Sequence, residues 1–328
     1  MKFRSLSIRG SQQTVVAETS ISVHPDAPRH GMDLTGDVAA QPEDSLPPEP
    51  EPSEIRKIPT GIADLDTIVE GGFPQGSTVL LMGEEGAGAR EFVYTSAAKL
   101  STVRDHPEVW RYYLGTSCDD SVLPEKICYV TFARSRDVVL REFAASMNED
   151  YYRAFRGATV FRDFSAPFFR HTVVPASWTE PPRTPLGAPQ ENVLEGLVEF
   201  LEENGPRSMV VIDSLSDFVD SESVEMRDVV STIKGLQRAA KRWEGIVYLL
   251  LTRDILEPRV ERTIVDSVDG CLVFEWSRYL RSSKRQRYMY VEKFTSVLPH
   301  LPMEKIARFP IMITSRQGLV VVYMERIG

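Results

Sequence analysis

Residues 78–90 read TVLLMGEEGAGAR: an apolar run from Thr78 to Met82, a turn with glycines at 83, 86 and 88, then a helical stretch from Glu91 to Leu100. A strand that passes through a glycine turn into a helix is the setting of a phosphate-binding loop. Backbone N–H groups of such a loop wrap the phosphates, and the helix N-terminus directs partial positive charge at them. Gly83 and Gly88 have the spacing of G-x-x-x-x-G-K-[ST]. The next two positions are Ala89 and Arg90. A methyl group therefore stands where a lysine would reach the outer phosphates, and a cation where a hydroxyl would hold Mg²⁺. The turn alone also suits a tight bend that needs small residues, so its meaning depends on what surrounds it.

Outward from this loop, short apolar runs recur at Ile127–Phe132, Thr159–Phe161, Met209–Ile212, Ile246–Leu251 and Gly270–Phe274. Each is bounded by polar or turn residues, as expected of strands buried on both faces. Helical stretches fall between them at Val138–Met147, Glu191–Glu203 and Val224–Trp243, the last with Val229, Ile233, Leu236 and Ala240 at helical spacing. Alternating strands and helices predict an α/β fold with a mostly parallel sheet covered on both faces. After Phe274 the pattern turns to hairpins: Tyr288–Phe294 alternates, and Phe309–Thr314 is expected to pair with Leu319–Tyr323 across the turn Ser315–Gly318. Two long connections interrupt the order. Residues 101–125 carry Trp110, Tyr112 and Tyr113; residues 166–190 carry six prolines with Phe168, Phe169, His171 and Trp178. Loops this long inside a domain are usually functional or disordered, and their aromatics predict either partner surface or segments folded back on the core.

The segment before the loop adds a specific signature. Ile58-Pro-Thr60-Gly61-Ile-Ala-Asp-Leu65-Asp66, followed by Gly71-Gly72-Phe-Pro74-Gln-Gly76, resembles the opening of the KaiC/RadA branch of the RecA superfamily P-loop ATPases. Met209-Val-Val-Ile-Asp213-Ser214 resembles that family's Walker B strand, and Val268-Asp-Gly270 with Tyr288-Met-Tyr-Val-Glu292-Lys293 its closing strands. The resemblance runs from about Ile58 to Val322. It implies a single RecA-like domain over residues 54–328, ending in β-hairpins, with Asp213 in the place of the metal-holding aspartate.

The departures from the family pattern are as specific as the matches. Where the family has two glutamates after the second strand, this chain has Ala133 and Arg134; where it has Lys-x-Arg, this chain has Lys293-Phe-Thr295. Phosphoryl transfer rests on positioning and charge stabilisation by these groups, and each lost charge-assisted contact costs about 1.5–3 kcal/mol. The chain thus resembles a degenerate, archaeal-type KaiC-like member, a pseudo-ATPase with no catalytic residues and no bound metal. Gly83, Gly86, Gly88, Ala89, Arg90 and Asp213 are expected to form a vestigial nucleotide site with at most weak affinity for ATP or ADP. In that geometry Arg90, or failing it Arg134, is expected to pair with Asp213 and replace the ion.

Composition narrows the remaining choices. The chain has 328 residues, 42% hydrophobic and 26% charged, with a net charge of −9. A negative balance argues against broad nucleic-acid binding, and the one basic cluster, Arg278 to Arg287, falls on an expected hairpin. No apolar run is long enough to span a membrane, and MKFRSLSIRG has no apolar stretch after its basic residues, so a cytoplasmic location is expected. Cys118, Cys128 and Cys271 are too scattered for a disulfide framework or a zinc site. Residues 1–53, with the Pro- and acid-rich QPEDSLPPEPEP at 41–52, predict a disordered tail, most of which an internal start at Met32 would remove. These features favour a regulatory or scaffold role with a protein partner, an active KaiC-like ATPase or a signalling component, and leave an oligomer open. The alternatives are an ATP-binding ATPase with a divergent Walker A, using Arg90, Arg134 and Lys293 as phosphate-side charge, and a DNA-binding recombinase-like protein.

Overall fold

The computed structural model describes residues 56–170, 172–179, 192–219, 221, 224–278, 285–302 and 305–322. Its strands are β1 (Lys57–Ile58), β2 (Phe73–Pro74), β3 (Ser77–Gly83), β4 (Lys126–Thr131), β5 (Thr159–Asp163), β6 (Ser208–Asp213), β7 (Ile246–Thr252), β8 (Gly270–Arg278), β9 (Arg285–Phe294), β10 (Phe309–Thr314) and β11 (Gly318–Val321). Its α-helices are α1 (Ala63–Ile68), α2 (Ala89–Asp105), α3 (Trp110–Leu114), α4 (Arg136–Ser146), α5 (Glu149–Ala158), α6 (Ser165–Phe169), α7 (Ala176–Thr179), α8 (Val193–Asn204), α9 (Met226–Trp243) and α10 (Pro258–Asp266). The expected tail, residues 1–53, and His171 lie outside the described residues.

The main sheet has the order β11-β10-β9-β8-β3-β7-β6-β4-β5. From β8 to β5 every neighbouring pair is parallel, while β8–β9, β9–β10 and β10–β11 are antiparallel. Period-two alternation places the sheet between two apolar layers. Val79 and Leu81 of β3 join α2 and α5 on one face, whereas Leu80 and Met82 join α8, α9 and α10 on the other. The expected parallel strands, the long helix with buried Val229, Ile233, Leu236 and Ala240, and the final hairpin are all present. Among the described residues no helix is long and apolar enough to cross a membrane.

Two expectations need correction. Residues 101–125 are not a loop throughout: α2 continues to Asp105, a 3₁₀ turn follows, and α3 packs Leu114 into the core. In the second connection the chain forms α6 and α7, and residues 180–191 lie outside the described ones. The aromatics of these stretches split between the two fates expected of them. Trp110, Tyr113 and Phe168 pack on the core, while Tyr112 and Trp178 are exposed.

The segment ahead of the glycine turn is a small piece of architecture. Both carboxylate oxygens of buried Asp66 are taken by backbone donors, Thr60 N–H at 2.6 Å and Gly61 N–H at 3.1 Å. The chain thereby wraps back on α1 and enters β2. Gly72 has φ 111°, and a Cβ there would sit 2.1 Å from the carbonyl oxygen of Ile58 across the β1–β2 pair, a position open to glycine alone. Asp66 should thus carry stability, and with a definite pH sign. Burial raises its pKa from 3.8 to about 7, against the two hydrogen bonds. A raised folded pKa gives a contribution that is complete below about pH 4 and is lost as the pH rises through 7. Asp66→Asn is expected to lower stability at pH 5 by about 1–3 kcal/mol, because one N–H then faces a donor. In urea titrations its deficit should shrink toward pH 8; a deficit constant with pH would remove this role.

Candidate functional site: a glycine loop beside an ion cluster

β3, β7, β6 and β4 are successive parallel neighbours in the sheet, and the site lies at their carboxyl ends, where ligands of open α/β sheets bind. The loop after β3 has the glycine-turn shape. Gly88, at φ 127°, is the residue from which α2 departs, and no side chain caps that helix end. Gly83, Gly86, Gly88, Ala89 and Arg90 line one cleft of about 350 Å³, together with Ser214 and Thr252. The loop backbone is held from the hairpin side. Trp276 Nε1 donates to Glu85 O at 3.1 Å and Arg287 Nε to Gly86 O at 2.9 Å, while the guanidinium groups of Arg285 and Arg287 lie 4.1 and 4.3 Å from the Trp276 ring.

Asp213 ends β6 behind this cleft, 1% exposed. Three donors converge on its carboxylate: Arg90 Nη2 to Oδ1 at 3.3 Å, Arg134 Nη1 to Oδ2 at 3.0 Å, and the Tyr129 hydroxyl to Oδ2 at 2.5 Å. The expected internal pair is therefore present twice. Arg134 also meets Glu142 at 2.6 Å and the Tyr94 hydroxyl at 3.3 Å, so two guanidinium charges balance two carboxylates. Burial works against the Arg90 charge, but the Asp213 carboxylate outweighs it and lifts the guanidinium above its ordinary range. Burial, and then the Asp213 charge, push the Tyr129 phenol well above its usual value, so it stays a donor. Tyr94 is raised to about 12, chiefly by burial.

These residues do not fit a magnesium nucleotide. The aspartate that would face the ion is already satisfied by two cations and a phenol, and the lysine position is the methyl of Ala89. The loop adds Glu84 and Glu85, with Glu91 in the first turn of α2, which would repel phosphate at short range. Near the place of the absent glutamates, Asp217 accepts from Ala133 N–H at 3.1 Å and from Ser214 Oγ at 3.4 Å. Burial raises its pKa, and the nearby Asp213 charge adds to this.

Lys293 is not at this site. Its ammonium donates to the carbonyls of Val265, Asp266 and Val268 at 3.0, 3.1 and 2.8 Å, closing the C-terminal end of α10. Arg285 and Arg287 of the expected basic cluster face Trp276 and the phosphate loop; residues 279–284 lie outside the described ones. Sequence reasoning missed Tyr129, Tyr94 and Glu142. Tyr129 reads as one more apolar residue of its strand, and only the adjacency of β4 and β6 gives its hydroxyl a role.

A family model described as the KaiC ATPase matches residues 58–103, the stretch from β1 through the phosphate loop and most of α2. No curated protein matches the chain. Among solved structures, a KaiC-like protein of the hyperthermophilic archaeon Pyrococcus horikoshii OT3 superposes with a TM-score of 0.54 at 19% identity, covering 82% of this chain and 100% of that one. The fold is the RecA-like P-loop fold, and 726 solved chains match it, too many for the fold alone to specify an activity.

If the cluster fills the ion's place, removing its anion should unsettle the fold. Asp213→Asn leaves Arg90 without a counter-charge, while Arg134 keeps Glu142, and is expected to cost about 3 kcal/mol, the low end for a broken buried pair because Arg90 is partly exposed. Asp213→Asn with Arg90→Met and Arg134→Met should recover most of that loss. Urea denaturation of the set decides, and an unchanged midpoint for Asp213→Asn would show that the cluster carries no stability.

Proposed function

We propose that this KaiC-like P-loop protein is a non-catalytic relative of the ATPases, acting as a regulatory or scaffold partner and not as a nucleotide hydrolase. The observation that carries the reading is the double engagement of Asp213 by Arg90 and Arg134 at 3.3 and 3.0 Å. A divalent cation would have to displace both guanidinium groups from a carboxylate that is almost wholly buried. The gain from coordination is thus offset by the loss of two charge-assisted bonds, with Arg90 left without a carboxylate, and no lysine stands ready to take the outer phosphates. Exposed apolar side chains at Tyr112, Val173 and Trp178 support a protein partner, with an active KaiC-like ATPase or a signalling component as the kinds to test.

A second reading has one observation in its favour. The glycine loop keeps an open cleft of about 350 Å³ lined by Gly86, Gly88 and Arg90, so residual ADP or ATP binding that does not depend on Mg²⁺ is compatible with the site. Calorimetric titration with ATP, with and without Mg²⁺, separates the readings. Tight Mg²⁺-dependent binding, or hydrolysis above a buffer control, would refute the non-catalytic assignment. The double variant Ala89→Lys, Arg90→Thr restores the missing lysine and hydroxyl and is expected to raise Mg-nucleotide affinity about tenfold. Its hydrolysis should stay at background, because Ala133 and Arg134 still stand in place of the acids. No gain in affinity would mean that the loop backbone is not shaped for phosphate.

A further inference from the structure

Lys99 lies on the side of α2 turned toward α1 and the C-terminal hairpin, about two and a half turns along the helix from Arg90 and on its opposite face. It is 7% exposed, yet among the described residues no acceptor lies within hydrogen-bond reach of its ammonium. The nearest buried acid cannot serve, because both oxygens of Asp66 already accept from Thr60 and Gly61. The stem is buried while the ammonium itself is not among the fully buried atoms, so it faces open space with its charge weakly solvated and held by no protein acceptor. Burial accordingly lowers its pKa to about 8, although Asp66 and Asp64 act to raise it.

The ammonium lines a second cleft, of about 550 Å³, that shares no residue with the phosphate-loop cleft. Its size is in the range of small-molecule sites. Tyr112, Tyr113 and Tyr151 form an aromatic wall, with the first two rings edge to face at 4.9 Å and the last two at 6.3 Å. Arg316 stands at the exposed mouth on the β10–β11 turn. The cleft is preformed by Asn148, whose Oδ1 caps α5 through Tyr151 N–H at 2.9 Å while its Nδ2 donates to Arg316 O at 3.2 Å. One side chain thus fixes the helix that carries Tyr151 against the turn that carries Arg316.

We propose that this cleft binds a small monocarboxylic acid with a flat apolar body, its carboxylate on Lys99 and Arg316 and its body among the three tyrosines. A carboxylate supplies the acceptors that Lys99 lacks, and the rings offer stacking area to an apolar body. Asp64 and Asp150 line the same cleft, and their charge selects a singly charged headgroup over a phosphate. The assignment is independent of whether the phosphate loop binds nucleotide.

Calorimetric titration of the full-length chain with phenylacetate, phenylacetamide and phenyl phosphate tests it. Phenylacetate is expected to bind at least tenfold more tightly than the neutral amide, and Lys99→Met should bring the acid down to the level of the amide. Arg316→Ala, at an exposed position, should weaken phenylacetate severalfold and serves as the readout if Lys99→Met does not fold. Absence of phenylacetate binding, equal binding of acid and amide, or binding insensitive to both variants would overturn the site. Tighter binding of phenyl phosphate would overturn the singly charged headgroup.

Discussion

The arrangement around Asp213 joins three parts of the molecule that share no sequence neighbourhood. The carboxylate ends β6, Arg90 belongs to the first turn of α2, and Arg134 follows β4. A guanidinium in the first turn of a helix meets the positive end of the dipole, which is unfavourable unless an anion compensates. A carboxylate at the buried end of an apolar strand needs a cation for the same reason of charge. Each group removes the other's penalty, and Tyr129 fills the remaining lone pair at 2.5 Å. The result fixes where α2 begins relative to the sheet, and hence the pose of the whole glycine loop.

A second set of contacts, ahead of the loop, is equally independent of any ligand. The stretch from Thr60 to Gly76 is governed by geometry: Asp66 closes the Thr60–Gly61 turn, and Gly72 lets β1 and β2 approach. None of those contacts involves a nucleotide. The family model covers this stretch and ends within α2. The positions that depart, Ala89, Arg90, Ala133 and Arg134, are those whose side chains would have met phosphate, metal or water.

The central strands were readable from sequence because a strand buried on both faces leaves a continuous apolar run, and β3, β4, β6 and β7 all do. α9 was readable because its apolar residues fall on one stripe. α5 was not, since its buried Tyr151 and Phe155 sit in a polar decapeptide with no run to announce them. The Arg90–Asp213 contact could be anticipated because both positions are fixed by the glycine turn and the strand end. Glu142 and Tyr94 could not, because their convergence on Arg134 depends on how α4 and α2 pack. Lys293 shows the opposite failure. Its place in a familiar strand suggested phosphate-side charge, but an ammonium takes whatever acceptors its stem can reach, and the open carbonyls at the end of α10 are nearer.

The hairpin strands complete the reasoning from the other side of the loop. In a nucleotide-bound P-loop, the backbone N–H groups are organised around an anion; here the carbonyls of Glu85 and Gly86 are held by Trp276 and Arg287. The Trp276 ring carries two guanidinium groups at 4.1 and 4.3 Å, a stack in which the ring quadrupole offsets cation repulsion. The Glu84 carboxylate in turn accepts from the Trp276 backbone N–H at 3.4 Å. The loop backbone and the Asp213 carboxylate are thus each held by side chains of the chain itself.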